Sequence, residues 1–326
     1  NHKGQWGYHP LIVTLANTRE VLYLANRAGN RPSHENAAGY FDRSIDLCRR
    51  AGFRKIRLRG DTDFSQTTQL DRWNDDDIQF VFGMDAMKNL VEIAENLPDN
   101  AWSELKRQRK TADKSKKRRA RRPNSKEQFV VKQAYTNKRL EKEFVAEFEY
   151  SPVACKQKYR MVVLRKQVSV SQGQQKLFDD SPYFFFITNV PKKTASPRQI
   201  VAESNQRCDQ ENIIAQGKAM GALAAPLSDL PSNWAYMVMA TLAWNLKIWL
   251  GLSITETGPP AAREARRAEK KRIVRMDFHT FCQALIQIPA QILTGGRQLI
   301  YRFLTWTPSL ETFFRVHTCV SRPLRH

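Results

Sequence analysis

The chain has 326 residues and is 41% hydrophobic, long enough for a sizeable core and two or three domains. Lys and Arg number 53 against 32 Asp and Glu, giving a formal net charge of +21 and a pI near 10.0. That balance points to a polyanion, nucleic acid first, ahead of a membrane surface or an acidic protein. The five cysteines are scattered, without a Cys-x-x-Cys pair, which excludes a disulfide framework or a zinc module and suits a reducing cytoplasm.

The N-terminus, "NHKGQWGYHP", carries no initiator Met and no apolar signal-peptide core, and reads as cut from something longer. "YHPLIVTLANT" and "REVLYLANRAGN" predict two strands that could pair antiparallel. Ser33 is a candidate N-cap for a helix over "ENAAGYFDRSIDLCRRAG", which Gly52 stops. "FRKIRLRGDTDF" predicts a short strand closed by Gly60 and Asp61. A polar helical piece and the strand "IQFVFGM" follow. This alternation of strands and helices is α/β.

"KNLVEIAENLPDNAWSELKR" reads as helical and runs into "KRQRKTADKSKKRRARR", residues 106–122, with eleven basic residues and one acid. Without that run the net charge is still +11, so the tract is not the whole source of basicity. From "EQFVVKQAY" to "KYRMVVLRKQVSV" the alternation predicts a mainly β insertion. "PYFFFITNV" is almost continuously apolar, suited to a sheet interior. "ASPRQIVAESNQRCDQENIIAQGKAM" predicts one helix, with Ser196 as N-cap and Pro197 in its first turn. Residues 226–326 read as largely helical. They include "WAYMVMATLAWNLKIWLGLSI", which Asn245 and Lys247 interrupt; it is expected to be a buried core helix, not a membrane span. A second basic patch, "REARRAEKKRIVR", follows it.

Two acids stand apart. Asp61 lies past a strand end, where open α/β sheets place their sites. Glu211 lies on the helix after a second sheet strand. Arg207, Glu211 and Lys218 are spaced by four and seven residues, which puts them on one helical face. Taken alone, that spacing also fits a solvated helix with an Arg–Glu pair. Carboxylates from separate elements suit magnesium, which takes hard oxygen ligands. Two such ions can clamp both oxygens of a phosphodiester displacement.

"LRGDTDF" and "NQRCDQEN……K", together with "GYHPLIVTLANT" and "LAWNLKIWL", resemble the DDE transposases of bacterial insertion sequences, over nearly the whole chain. The resemblance implies an α/β fold: a ribonuclease H-like mixed sheet with helices, interrupted by a mainly β insertion domain, with a helical C-terminal region. It implies a first part of the core over 1–90, the basic β insertion over 91–181, the second part with the Glu helix over 182–225, and the helical region over 226–326. It implies metal-dependent strand cleavage and transfer at transposon ends, with Asp61 and Glu211 as catalytic ligands of a two-ion Mg2+ or Mn2+ site. The partners implied are double-stranded DNA (terminal inverted repeats and target) and a second copy, as a homodimer on DNA. The location implied is the bacterial cytoplasm, at the nucleoid.

Arg207, Glu211 and Lys218 occupy the last three positions of the family's Tyr-x2-Arg-x3-Glu-x6-Lys signature, with Ser204 where the tyrosine should stand. Arg207, Lys218 and position 204 are expected to meet DNA. So are Lys116, Lys117, Arg118, Arg119, Arg121 and Arg122 of the basic tract, which equally fits a non-specific polycation. Asp63 is the rival to Asp61; the match puts the ligand directly after Gly60. Asp75, Asp76 and Asp77 read as a solvated loop run. The family carries its first aspartate on a strand ahead of the "YHP" strand, so this chain is expected to lack it and to be a poor enzyme alone. The alternatives are a basic DNA-binding remnant and a ribonuclease H-like nuclease that does not transpose.

Overall fold

The computed structural model describes residues 7–106, 136–172, 175–180, 182–206 and 208–321. The chain divides into two units, residues up to 44 with those from 208, and residues 45–207. Each is described by itself.

The 45–207 unit is built on a seven-stranded sheet. Its strands are β3 (Arg57–Gly60), β4 (Gln79–Met84), β5 (Ser103–Glu104), β6 (Thr136–Tyr150), β7 (Tyr159–Gln172), β8 (Gln175–Asp180) and β9 (Tyr183–Thr188). The order is β3-β4-β9-β7-β6-β5, with β8 also on β7. β3 and β4 run parallel; the other pairs are antiparallel. The β-rich segment thus pairs directly onto β9 and joins the same sheet. "YFFFIT" and "QFVFGM" lie side by side in the interior, which accounts for their near-continuous apolar run.

On one face of this sheet Val81, Val145, Val162 and Leu164 pack against Ile200 and Val201 of α4 (Pro197–Asn205). On the other, Phe80 and Phe82 stack near Trp73 of α2 (Leu70–Asp75) and Tyr159. Helix α3 (Lys88–Glu95) follows β4. Ser196 caps α4 with a full capping box, and Pro197 opens it, as its sequence predicts.

An ionic cluster ties three parts of this unit. Arg160 on β7 reaches Glu147 on β6 at 2.5 Å, and Lys192 reaches the same carboxylate at 2.9 Å. Arg160 also donates to the carbonyls of Ala195 and Val190, at 2.7 and 3.3 Å. Burial acts to raise the Glu147 carboxyl, but bonds from Lys192 and Arg160 outweigh it and hold it below the usual range.

The mixed α/β architecture of sheet and helices is consistent with a ribonuclease H-like fold. In the other unit, β1 (Leu11–Leu15) and β2 (Glu20–Ala25) pair antiparallel as expected. They lie on α6 (Leu230–Leu252). The polar residues that interrupt this apolar helix satisfy backbone groups. Asn245 accepts from the Val21 amide at 2.9 Å and donates to its carbonyl at 2.8 Å. Lys247, 1% exposed, donates to the carbonyls of Val274 (3.1 Å) and Met276 at the end of α7 (Pro260–Arg275). Burial pulls its ammonium down to about 8.

The expected core helix is only half buried. Met237, Trp244 and Ile248 face inward, while Trp234, Val238, Leu242, Leu246 and Trp249 are exposed along a stripe of roughly four-residue steps. Among the described residues no helix is long and apolar enough to cross a membrane.

Three further expectations need correction. The helix expected to start near Ser33 begins later, as α1 (Ala37–Arg50). Arg27 takes the carbonyls of Pro32, Ser33 and Glu35 and holds that segment as turns, and Asn36 is left-handed. Gly52 does end α1, at φ +89°. The single helix expected after Ser196 is two, α4 and α5 (Cys208–Ala219), interrupted after Asn205. The C-terminal region contains a hairpin, β10 (Ala290–Gly295) and β11 (Gln298–Phe303), as well as the short α8 (Phe278–Phe281) and α9 (Ser309–Val320). Its two-residue turn, Gly296–Arg297, has φ of +55° and +65°, the type I′ signature.

Candidate active site

Asp61 is where the parallel strand β3 ends. Its backbone is extended, and its carbonyl accepts the Phe64 amide at 3.1 Å to open a 3-10 turn. The side chain is half-buried, while Asp63, its rival, is exposed. Two glycines let this turn lie tightly on β4. A Cβ on Gly83 would stand 3.0 Å from the Thr62 nitrogen and 3.2 Å from the Asp61 carbonyl carbon. One on Gly60 would stand 2.7 Å from the Phe64 Cβ. Gly83→Ala is expected to push the Asp61 turn off β4 and cost about 1–3 kcal/mol, the scale of overpacking. Urea unfolding checks it, with Gly295→Ala, which meets nothing within 4 Å, as the reference. An unshifted midpoint would mean that the turn yields freely.

Glu211 is in the first turn of α5, and Lys218 is in its last. They are two turns apart, on one face, and both are exposed. The opposite side fixes the helix. Asp209 pairs with Arg19 at 2.6 Å, Gln210 bonds Thr14 and the Ile12 carbonyl, and Ile213 is buried. A carboxylate that must be reached by DNA has to be accessible, so exposure is compatible with a catalytic role and also with a solvated face.

Ser204 is buried in α4, 3% exposed. Arg207 and the tract residues Lys116, Lys117, Arg118, Arg119, Arg121 and Arg122 lie outside the described residues.

Sequence reasoning missed what holds the end of α4. Arg57 on β3 pairs with Glu203 at 2.6 Å. Arg59 donates to the Glu203 carbonyl at 3.1 Å and to Gln206 at 3.4 Å. The end of α4 is therefore anchored to β3, two residues before Asp61. The signal was the alternation of arginines in "RLRG", which places basic side chains on one side of the strand.

Asp75, which ends α2, and Asp76 and Asp77 after it are all exposed; Asp75 and Asp76 also meet protein donors, as does Asp71 within α2. Asp71 accepts the Tyr159 hydroxyl and the Lys156 amide, each at 2.6 Å. The Tyr159 bond pulls its carboxyl down, and burial pushes the Tyr159 phenol up. Asp75 takes Gln157, and Asp76 takes Arg49.

The chemistry of Asp61 and Glu211 suits magnesium or manganese, as both offer hard oxygens. Among the described residues no group of three or more His, Cys, Asp or Glu is placed to hold a metal ion. Among curated proteins no sequence matches the chain. A family model described as transposase DDE domain group 1 matches residues 1–323.

Proposed function

Because the chain belongs to the transposase DDE domain group 1 family and so has a transposase-type function, we propose that it acts on transposon-end DNA through Asp61 and Glu211. The match over 1–323 carries this reading. The Gly60–Asp61 strand end and the anchoring of residues 203–206 on β3 support it.

In this reading Asp61, at a rigid strand end, and Glu211, on a pinned helix, would hold Mg2+ or Mn2+. The ions would polarise the phosphodiester and activate the attacking oxygen. Lys218, on the Glu211 face, would meet a phosphate beside the cut, and Arg207 a neighbouring one. The basic tract would hold the flanking duplex by charge. Two copies would act, one at each transposon end, in the bacterial cytoplasm.

The test uses labelled duplex carrying the terminal inverted repeat. The protein is expected to bind it and to cut it with Mg2+ or Mn2+, and to be silent in EDTA. Cutting that survives chelation would sink the reading. The exposed Glu211 fits one alternative, a DNA-binding remnant. Binding without cutting would establish it.

A further inference from the structure

Helix α7 is a cationic rod. Arg263, Arg267, Lys271 and Arg275 recur at four-residue intervals, and all four are exposed. At about 1.5 Å per residue they form a ridge about 18 Å long with a cation every 6 Å or so. Ala268 lies exposed beside the Lys271–Arg275 end of the ridge, a small side chain that leaves room for a flat partner there.

The C-terminal end of the rod is fixed. Ile273 and Val274 are buried, Ile273 against Gly251 of α6, and Lys247 clasps the last carbonyls. The neighbouring acids are turned to other tasks. Glu269 is taken by Arg315 and Thr312 of α9. Glu256 is taken by Arg267 and Lys270. Arg263, Lys271 and Arg275 have no carboxylate within ion-pair distance among the described residues, and Arg267 remains largely exposed beside Glu256.

The helix's own electrostatics do not account for this ridge. A cation in the last turn, such as Arg275, suits the macrodipole. Arg263 lies in the first turn, where a cation is disfavoured, and no acid is there to offset it. A solvated face would more often carry interspersed acids; here Glu264 is the one exposed acid on the helix.

We propose that this face of α7 is a second DNA-binding surface, which seats the phosphate backbone of a duplex independently of the 106–122 tract. The occupant follows from charge complementarity. A duplex presents one phosphate per about 3.4 Å of each strand, so cations about 6 Å apart on a straight rod can meet several phosphates of one strand. Contacts made to phosphates fix position and orientation on a duplex and carry no sequence information, so the surface as proposed holds position and not sequence. The inference rests on the proposed function, in that it assumes DNA is the partner.

The test is fluorescence anisotropy of a labelled random-sequence duplex over a range of salt. The Arg263→Gln/Lys271→Gln/Arg275→Gln variant should bind more weakly. Its slope of log K against log salt should be shallower by about 2.7, at about 0.9 for each phosphate that is no longer neutralised. Ala268→Glu should weaken binding, and Glu264→Gln should strengthen it. Glutamines at the six tract positions should lower the slope by a separate, additive amount. All the α7 positions changed are exposed, and circular dichroism confirms that the fold is kept.

A triple variant with the wild-type slope overturns the inference, while wild-type binding and metal-dependent cutting would leave the proposed function standing. A wild type that binds no duplex overturns both. An Ala268→Glu chain that binds as well as wild type also counts against the ridge.

Discussion

Asparagine at position 61, or glutamine at 211, is expected to slow metal-dependent cutting about 1,000-fold or more, with duplex binding unchanged or slightly tighter. Each substitution keeps the shape of the side chain and removes one anionic oxygen, so packing is hardly touched. Losing a charged ligand to an ion that stabilises the transition state costs several kcal/mol, and about 4 kcal/mol is a factor of 1,000 in rate. Removing a negative charge near phosphates cannot weaken binding electrostatically. The measurement is single-turnover cleavage, beside anisotropy. Asp63→Asn serves as the control and should cut normally, since Asp63 is exposed on the 3-10 turn. If Asp63→Asn were the inactive variant, the ligand would lie two residues further along. If Glu211→Gln cut at the wild-type rate, α5 would return to being a solvated helix.

The second large effect is on stability. Arg160→Met is expected to cost about 3–5 kcal/mol, the scale for breaking a buried ion pair from one side. Arg160 is 9% exposed and serves Glu147 and two carbonyls. Methionine fills much of the space but leaves Glu147 with Lys192 alone and strips the carbonyls of a donor. The sign of the pH dependence follows from the depressed Glu147 carboxyl. Its contribution is present above the unfolded value of 4.5 and is lost as pH falls through the lower folded value. The stability gap between wild type and variant should therefore narrow as pH falls below 4.5. Urea titrations at several pH values check it. A constant gap would assign the loss to packing and not to the pair. Glu147→Gln with Arg160→Met should cost less than the two single losses added together.

Most strands were legible because they carry their own signal. β4 and β9 are short apolar runs between turn residues, and β1 and β2 are rich in Leu, Ile, Val and Tyr. The Ser196–Pro197 start was legible as local chemistry. The break after Asn205 was not. Gln206 and Arg207 are good helix formers, and what stops α4 is tertiary: β3 arginines gripping Glu203 and Gln206. Ser33 failed as a cap because the Arg27 guanidinium donates to the carbonyls of Pro32, Ser33 and Glu35 and holds the segment as turns, which the spacing of apolar residues does not show. The hairpin at 290–303 could have been read: Gly295-Gly296 sits between "QIL" and "LIY", a strong turn signal within a segment taken as helical. For the site, the position of Asp61 past β3 was legible from the Gly-Asp stop. The arginines that hold the end of α4 were not, because their partners lie about 145 residues away along the chain.

The lysine sealed between α6 and α7 has a use as a chemical reporter. At pH 8 to 9 an amine-directed reagent acylates surface lysines in proportion to their access and their free-base fraction. Lys247 has the larger free-base fraction, with its ammonium near 8, and almost no access, at 1% exposed. In the closed helix pair it is silent; when α7 parts from α6 it becomes accessible and is acylated as an ordinary surface lysine is. The rate at which that one side chain is acylated therefore times the opening of the support beneath the cationic rod.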